Sequence, residues 1–455
     1  MQEPQPLGFF GGSVGALAPF GVFITGVAWL GLSGAPDERG LWPVLIAAIA
    51  IALLLTRDRR RYCDTLLAGM SQPIVMLMLM AWMLAGVLSA VLTAGGLVDA
   101  LAAAARASGL QGGAYAAAAF LVCCLFSAAT GTSLGTLILC LPVLYPAGAP
   151  LGADPAILAG AIIGGATFGD NVSPVSDTTI ASATTQGAAI GEVVRSRLRY
   201  ALPAAGVALL GAMVLGGNGD GLPAEQLAKG NGAPLVLLVA PAIVFVLLLR
   251  RRHLVEGLLS GIVVALAVGW IGGLLQPSDL LRIEPDAFAA RGLVVDGIER
   301  ALGISVFTLL LMGLVAGIEA NGLLDRLVQA ATRSARSERG AEAWIFGAVS
   351  AAVMLTAHSV VAILAVGAFA RQTGERLGIG PARRANLLDT TVCTYPFLFP
   401  WFVPTILAAS LTASGAATGM PRLDALQVGM ANLHSWLLLS IVLMAVFGGY
   451  GRRSH

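Results

Sequence analysis

Residues 165 to 179 read GATFGDNVSPVSDTT and place two carboxylates, Asp170 and Asp177, and five hydroxyl groups around one proline. Carboxylate, hydroxyl and carbonyl oxygens are the donors that a desolvated Na+ prefers, so these residue types suit cation binding. Pro174 removes a backbone donor and restricts Ser173, which should unwind a helix here. Unwinding frees carbonyl groups, and a second half-helix would then present Asp177 and Thr178 at its own N-terminus. Asp170, Asn171, Ser173, Asp177 and Thr178 are the candidate cation or proton ligands, with Asp170, Ser173, Asp177 and Thr178 as the expected Na+ set. The competing structural role is helix capping by Asp170 and Asp177.

A second run, DTTVCTYPFLFPW from Asp389 to Trp401, repeats this chemistry. It adds Asp389 as a third candidate carboxylate, with Thr391 and Tyr395 beside it. Two short stretches, Thr130-Gly131-Thr132-Ser133 and Thr356-Ala357-His358-Ser359, are small and polar. Thr130, Thr132, Ser133, His358, Ser359, Thr391 and Tyr395 are therefore candidates for hairpin tips or substrate contact. His358 next to Ser359 does not place imidazole on hydroxyl, and there is no GxSxG or HExxH context, so an enzyme is not expected. The five cysteines lack metal-site spacing, and no cofactor is expected beyond Na+ as transported or coupling ion.

These polar residues sit in a chain that is 57% hydrophobic and 11% charged, with a mean hydropathy of +0.84 over 455 residues. Soluble domains do not have this balance, and apolar runs such as 14–32, 235–249 and 433–447 approach the length needed to cross hydrocarbon. The expected fold class is an all-α polytopic membrane protein. In such a setting one aspartate at a helix centre costs roughly 2.5–3.5 kcal/mol, so Asp170, Asp177 and Asp389 together would cost on the order of 8–10 kcal/mol if bare. A bound cation or proton removes most of that cost, and competition between the two at one site is sufficient for exchange.

The charges orient the chain. Basic clusters at 57–61, 195–199, 250–253, 326–339, 371–384 and 452–455 are predicted to be cytoplasmic, as are both termini. The connections 217–232 and 276–291 are acid-rich and predicted external. The first apolar run reads as a retained helix, and a single lysine among 27 basic residues points to a GC-rich bacterial source and its inner membrane. Helices are predicted near 14–32, 42–56, 73–93, 200–216, 233–249, 254–274, 303–319 and 430–448. Regions 112–190 and 343–412 do not read as simple spans.

Those two regions are copies. GLVDAL at 96–101 meets GLLDRL at 322–327, and TGTS at 130–133 meets TAHS at 356–359, both at an offset of 226. The helix at 73–93 follows a basic cluster whereas its partner at 303–319 precedes one, so the repeats are inverted. Each reads as an entry helix, a short amphipathic helix (97–108; 322–336), a re-entrant hairpin (112–147; 343–371) and a broken helix. Inverted repeats with interrupted helices are the signature of secondary transporters, with binding sites near the midplane. The resulting division is a two-helix segment (1–62), a first repeat (63–200), connecting helices (201–292), a second inverted repeat (293–415) and a last spanning helix (416–455).

The stretch from Gly165 to Thr179 resembles the NhaC family of Na+/H+ antiporters, whose members carry G-x-x-F-G-D-x-x-S-P-x-S-D-T-T. TGTSLGT at 130–136 is similar to the family's hairpin element, whereas TAHS and DTTVCTYPFLFPWF depart from its second-half pattern. The resemblance implies an ion-transporter fold of two inverted repeats, commonly a homodimer, exchanging Na+ or Li+ for H+ by alternating access. Related members move organic acids or amino acids, so an Na+- or H+-coupled transporter of a small organic solute is the alternative, with His358 and Tyr395 as solute ligands.

Overall fold

Lipid cannot satisfy a backbone N–H or C=O, so a chain this apolar must close its hydrogen bonds within helices. The computed structural model describes residues 6–33, 38–218, 233–284, 289–323, 326 and 336–452, and nearly all of them are helical. Seven helices are long and apolar enough to cross a membrane among the described residues, with an eighth bent pair at the C-terminal end.

In chain order the helices are α1 (Gly12–Leu32), α2 (Leu41–Leu55), α3 (Arg59–Met70), α4 (Pro73–Ala94) and α5 (Leu97–Ala107), then a helical hairpin of α6 (Gly112–Thr130) and α7 (Ser133–Ala147). A broken helix follows as α8 (Pro155–Val172) and α9 (Asp177–Gln186), then α10 (Ile190–Leu215), α11 (Val239–Leu249) and α12 (Leu254–Ile271). A short α13 (Pro277–Leu280) precedes a two-stranded hairpin of β1 (Arg282–Glu284) and β2 (Ala289–Arg291). The second half comprises α14 (Leu293–Glu319), the hairpin α15 (Glu338–Thr356) and α16 (Ser359–Arg376), the broken helix α17 (Pro381–Val392) and α18 (Val403–Leu411), and α19 (Ala425–Ala431) with α20 (Leu433–Phe447).

Packing sorts these elements into two bodies. One joins α1–α4 with α11, α12 and α14, and α4 crosses α14 so closely that a Cβ on Gly86 would lie 2.1 Å from the Gly297 carbonyl oxygen. The other joins both hairpins and both broken helices with α10 and α20. They meet along a seam where α4 touches α7 and α14 touches α15 and α18.

The hairpin tips carry the internal repeat into three dimensions. Gly131 caps α6 with φ +72°, and Ala357, at the offset of 226, caps α15 with φ +52°. Glycine tolerates that left-handed conformation and alanine does not, at a cost of roughly 1–2 kcal/mol. Ala357→Gly is therefore expected to raise the unfolding midpoint in detergent by a gain on the order of 1 kcal/mol. A lowered midpoint would refute strain at this tip.

Several expectations need correction. The cluster at 57–61 is not a bare loop: the Asp58 side chain accepts from the Arg61 N–H and caps α3, which packs along α14. The segment 195–199 is not a connection either, because α10 begins at Ile190 and carries it inside the helix. Helix α14 starts at Leu293, ten residues before the sequence expectation. The expected span 430–448 bends by 60° at Asn432, whose side chain caps α20 and donates to the Phe397 carbonyl at 3.0 Å. The 276–291 connection folds into α13 and a strand pair. Most of the expected helix 322–336, of the loop 217–232 and of the last cluster lies outside the described residues.

Candidate functional site

The apolar half α8 reaches further than its sequence suggests. It continues through Asp170 and Asn171 to Val172, and the break spans residues 173–176 around Pro174. Gly169 therefore does not make the break. It lies inside α8, where a Cβ would meet Ala128 N and Cys124 O at 2.5 Å, so its role is close packing of α8 on α6. Pro174 alone carries the expected interruption, and α9 opens at Asp177.

The tip of the first hairpin closes over this break. A Cβ on Gly131 would stand 2.9 Å from the Ser176 nitrogen, so only glycine lets the tip approach. That approach delivers Ser133, the first residue of α7, whose hydroxyl donates to Asp170 Oδ2 at 2.7 Å. Asp170 Oδ1 accepts from Ser176 Oγ at 2.6 Å, and Ser176 Oγ lies 3.0 Å from Thr178 Oγ1. Asp170, Ser133, Ser176 and Thr178 are all buried. Asn171, the next residue of α8, is fully buried, and neither side-chain atom of its amide has a partner among the described residues. The result is an oxygen-rich cluster in which Asp170 forms no salt bridge among the described residues.

Other candidates are engaged elsewhere. Thr130 Oγ1 donates back to the Phe126 carbonyl at 2.9 Å, and Thr132 Oγ1 accepts from the Gly135 N–H at 3.1 Å as the cap of α7. Ser173 Oγ accepts from the Val175 N–H at 3.3 Å and shapes the break without reaching Asp170. In the second half Thr391 Oγ1 donates to the Leu387 carbonyl at 2.6 Å and Ser359 Oγ to the Val392 carbonyl at 3.3 Å. The Tyr395 ring stacks on Phe399, which stacks on Trp401.

Asp389 has the most consequential partner, and that partner belongs to a basic cluster that the sequence reading expected to face the cytoplasm. Arg197, with no exposed surface, sets Nη1 2.6 Å from Asp389 Oδ2. The same nitrogen donates to the Asn171 carbonyl at 2.5 Å and to Thr179 Oγ1 at 2.7 Å, and Nε donates to Asn386 Oδ1 at 3.0 Å. Ser182 Oγ completes the Asp389 carboxylate at 3.1 Å. A signal for Arg197 was present: Val193, Arg197, Tyr200 and Ala204 follow one another by four, three and four residues, a buried stripe on α10. Ser176 was legible as part of the motif but was not singled out from its neighbours.

Asp177 and His358 lie together in a different setting. A cavity of about 580 Å³ opens in the seam between the two bodies at the end bearing the Arg57–Arg61 segment. Gln72, Met312 and Glu319 line one wall; Asp177, Thr184 and His358 line the other. Asp177 and Glu319 are exposed to it. At the opposite end of the seam a cavity of about 30 Å³ lies between α4 and α14 on one side and α7 and α18 on the other, and a cavity of about 340 Å³ beside it is lined by Glu38, Arg300, Ser410 and Arg422. There Arg422 pairs with Glu38 at 2.7 Å, and Ser410 Oγ lies 3.5 Å from the same carboxylate.

Residues 14–216 match the family described as the Na+/H+ antiporter family, a span that includes the first hairpin, the break and Arg197. Over 315 residues the chain is 25% identical to the Na+/H+ antiporter NhaC of Alkalihalophilus pseudofirmus, covering 65% of this chain and 68% of that one. Over 90 residues it is 36% identical to the malate-2H+/Na+-lactate antiporter of Bacillus subtilis, covering 20% and 19% of the two chains.

Proposed function

Because residues 14–216 match the Na+/H+ antiporter family and the chain is similar to an NhaC antiporter, we propose that it exchanges Na+ or Li+ for H+ across the membrane, and that the two ions compete for Asp170. The observation that carries this reading is a buried carboxylate with hydroxyl partners and no cationic side chain, at the contact of a hairpin tip with a broken helix. Left bare at such depth it would cost roughly 2.5–3.5 kcal/mol, a cost that a bound Na+ or proton largely removes.

Serine hydroxyls can serve both states. With no cation bound, Ser133 and Ser176 donate to the carboxylate. With Na+ bound they rotate and offer lone pairs instead, since a hydroxyl carries one donor and two acceptor positions. Thr178 Oγ1, the unpartnered Asn171 Oδ1 and carbonyls of the break bring further oxygens to the coordination that a hard cation requires. With a proton bound, Asp170 becomes the donor to one of the serines. One carboxylate that holds either ion and never both couples their movements.

The open end of the seam is assigned to the cytoplasm, where the basic segments belong. Asp177 then receives cations from the cytoplasmic cavity, and closure there with opening beside Glu38 and Arg422 exposes the site externally. Asp177, Glu319 and His358 are the ionisable groups lining that cavity, and two carboxylates favour a cation over an organic acid.

Purified protein in liposomes enclosing a pH dye tests the reading. Pulses of Na+ or Li+ should dissipate a preset pH gradient, and Asp170→Asn should slow this by on the order of 100-fold without changing the unfolding midpoint by more than a few degrees. Equal traces from wild type and Asp170→Asn would overturn the assignment.

A further inference from the structure

Asp170 and Asp389 stand at like places in the two broken helices, and the fold gives them opposite surroundings. Each lies in the last turn of the first half of its broken helix. Each uses its backbone carbonyl to accept the capping N–H, from Ser173 at 3.3 Å and from Cys393 at 3.0 Å. The Asp170 carboxylate is held by two serine hydroxyls, whereas the Asp389 carboxylate is held by the guanidinium of Arg197.

Arginine has five N–H donors and no acceptor, and it does not give up its proton in proteins. A carboxylate 2.6 Å from that group, with both side chains fully buried, has its charge compensated without a bound ion. We propose that Arg197 is a tethered cation that permanently fills the second of two symmetry-related cation sites, leaving Asp170 as the one exchanging carboxylate. Each turnover then carries one Na+ against one H+, with no net charge moved.

Arg197 is also a positioning residue. Its Nη1 bonds the Asn171 carbonyl at the end of α8 and the Thr179 hydroxyl in α9, so the charge that neutralises the second break also ties together the two halves of the first. This inference rests on the assignment of exchange to Asp170. It goes further by fixing the stoichiometry.

Two measurements in proteoliposomes decide it. The first sets the membrane potential with K+ and valinomycin and reads the Na+ gradient at steady state. One-for-one exchange leaves that gradient unchanged by the potential. A gradient growing tenfold per about 59 mV, as one uncompensated charge requires, would overturn the proposal.

The second measurement compares the Na+ dependence of the rate in three variants. Arg197→Lys, which keeps a cation, should remain first order like the wild type. Arg197→Gln vacates the second site and should raise the apparent order toward two. The neutral pair Arg197→Gln with Asp389→Asn should fold and exchange at first order, because removing both charges leaves no uncompensated ion. A folded double variant whose rate rises with the square of the Na+ concentration refutes the tethered-cation role, and it does so even if Arg197→Gln alone fails to fold. If Asp170→Asn itself keeps exchanging, the underlying site assignment fails instead, so the two failures are distinguishable.

Discussion

Removing the second-repeat carboxylate with Asp389→Asn is expected to destabilise the protein by about 3–5 kcal/mol, the cost of leaving one partner of a buried ion pair uncompensated. Arg197 has no exposed surface through which to hydrate, and its Nη2 already lacks a partner. Asparagine at this position keeps an oxygen near Nη1 but removes the charge, so the guanidinium remains ionised in a low-dielectric interior. The unfolding midpoint in detergent and the folded yield from the membrane both check this. A loss below about 1 kcal/mol, typical of exposed pairs, would show that Arg197 reaches water or another acceptor. The exposed pair Arg252–Glu256, 3.6 Å apart with side chains 62% and 45% exposed, is the internal control, and breaking it should change nothing measurable.

The second large effect is expected at the first hairpin tip. Gly131→Val forces a β-branched residue to φ +72° and drives its Cβ to within 2.9 Å of Ser176 N and Val175 C, which are backbone atoms that cannot swing aside. The tip must withdraw from the break, and Ser133 withdraws with it. A displacement of about 1 Å can cost on the order of 100-fold in rate, so exchange should fall at least tenfold even in protein that folds. Retained exchange with an unaltered Na+ dependence would show that contact between tip and break is dispensable. At the mirrored position, where Ala357 already holds φ +52°, the opposite change relieves strain, which is why the two tips predict opposite signs.

Much of this arrangement was legible in the chain. The matched TGTS and TAHS stretches became the tips of α6–α7 and α15–α16, and Pro174 fell in the break between α8 and α9. Such signals are local: a proline acts on its own turn, and hydrophobic periodicity reports which face of a helix avoids water. Helix ends were less legible. Ten residues at the start of α10 and ten at the start of α14 carry polar or charged groups that resemble loop, because tertiary partners that would neutralise them are distant in sequence.

Composition and pattern by themselves determined an all-helical membrane protein, and they marked the carboxylates and hydroxyls gathered around its two proline-bearing breaks. Only the tertiary structure decided how the carboxylates divide the work. Asp170 received serines from a hairpin tip, Asp177 faced an open cavity, and Asp389 received Arg197 from a segment that reads as a solvated cluster. The physical reason is that a charge in hydrocarbon is defined by its partner, and the partner of a buried charge is set by packing between distant helices.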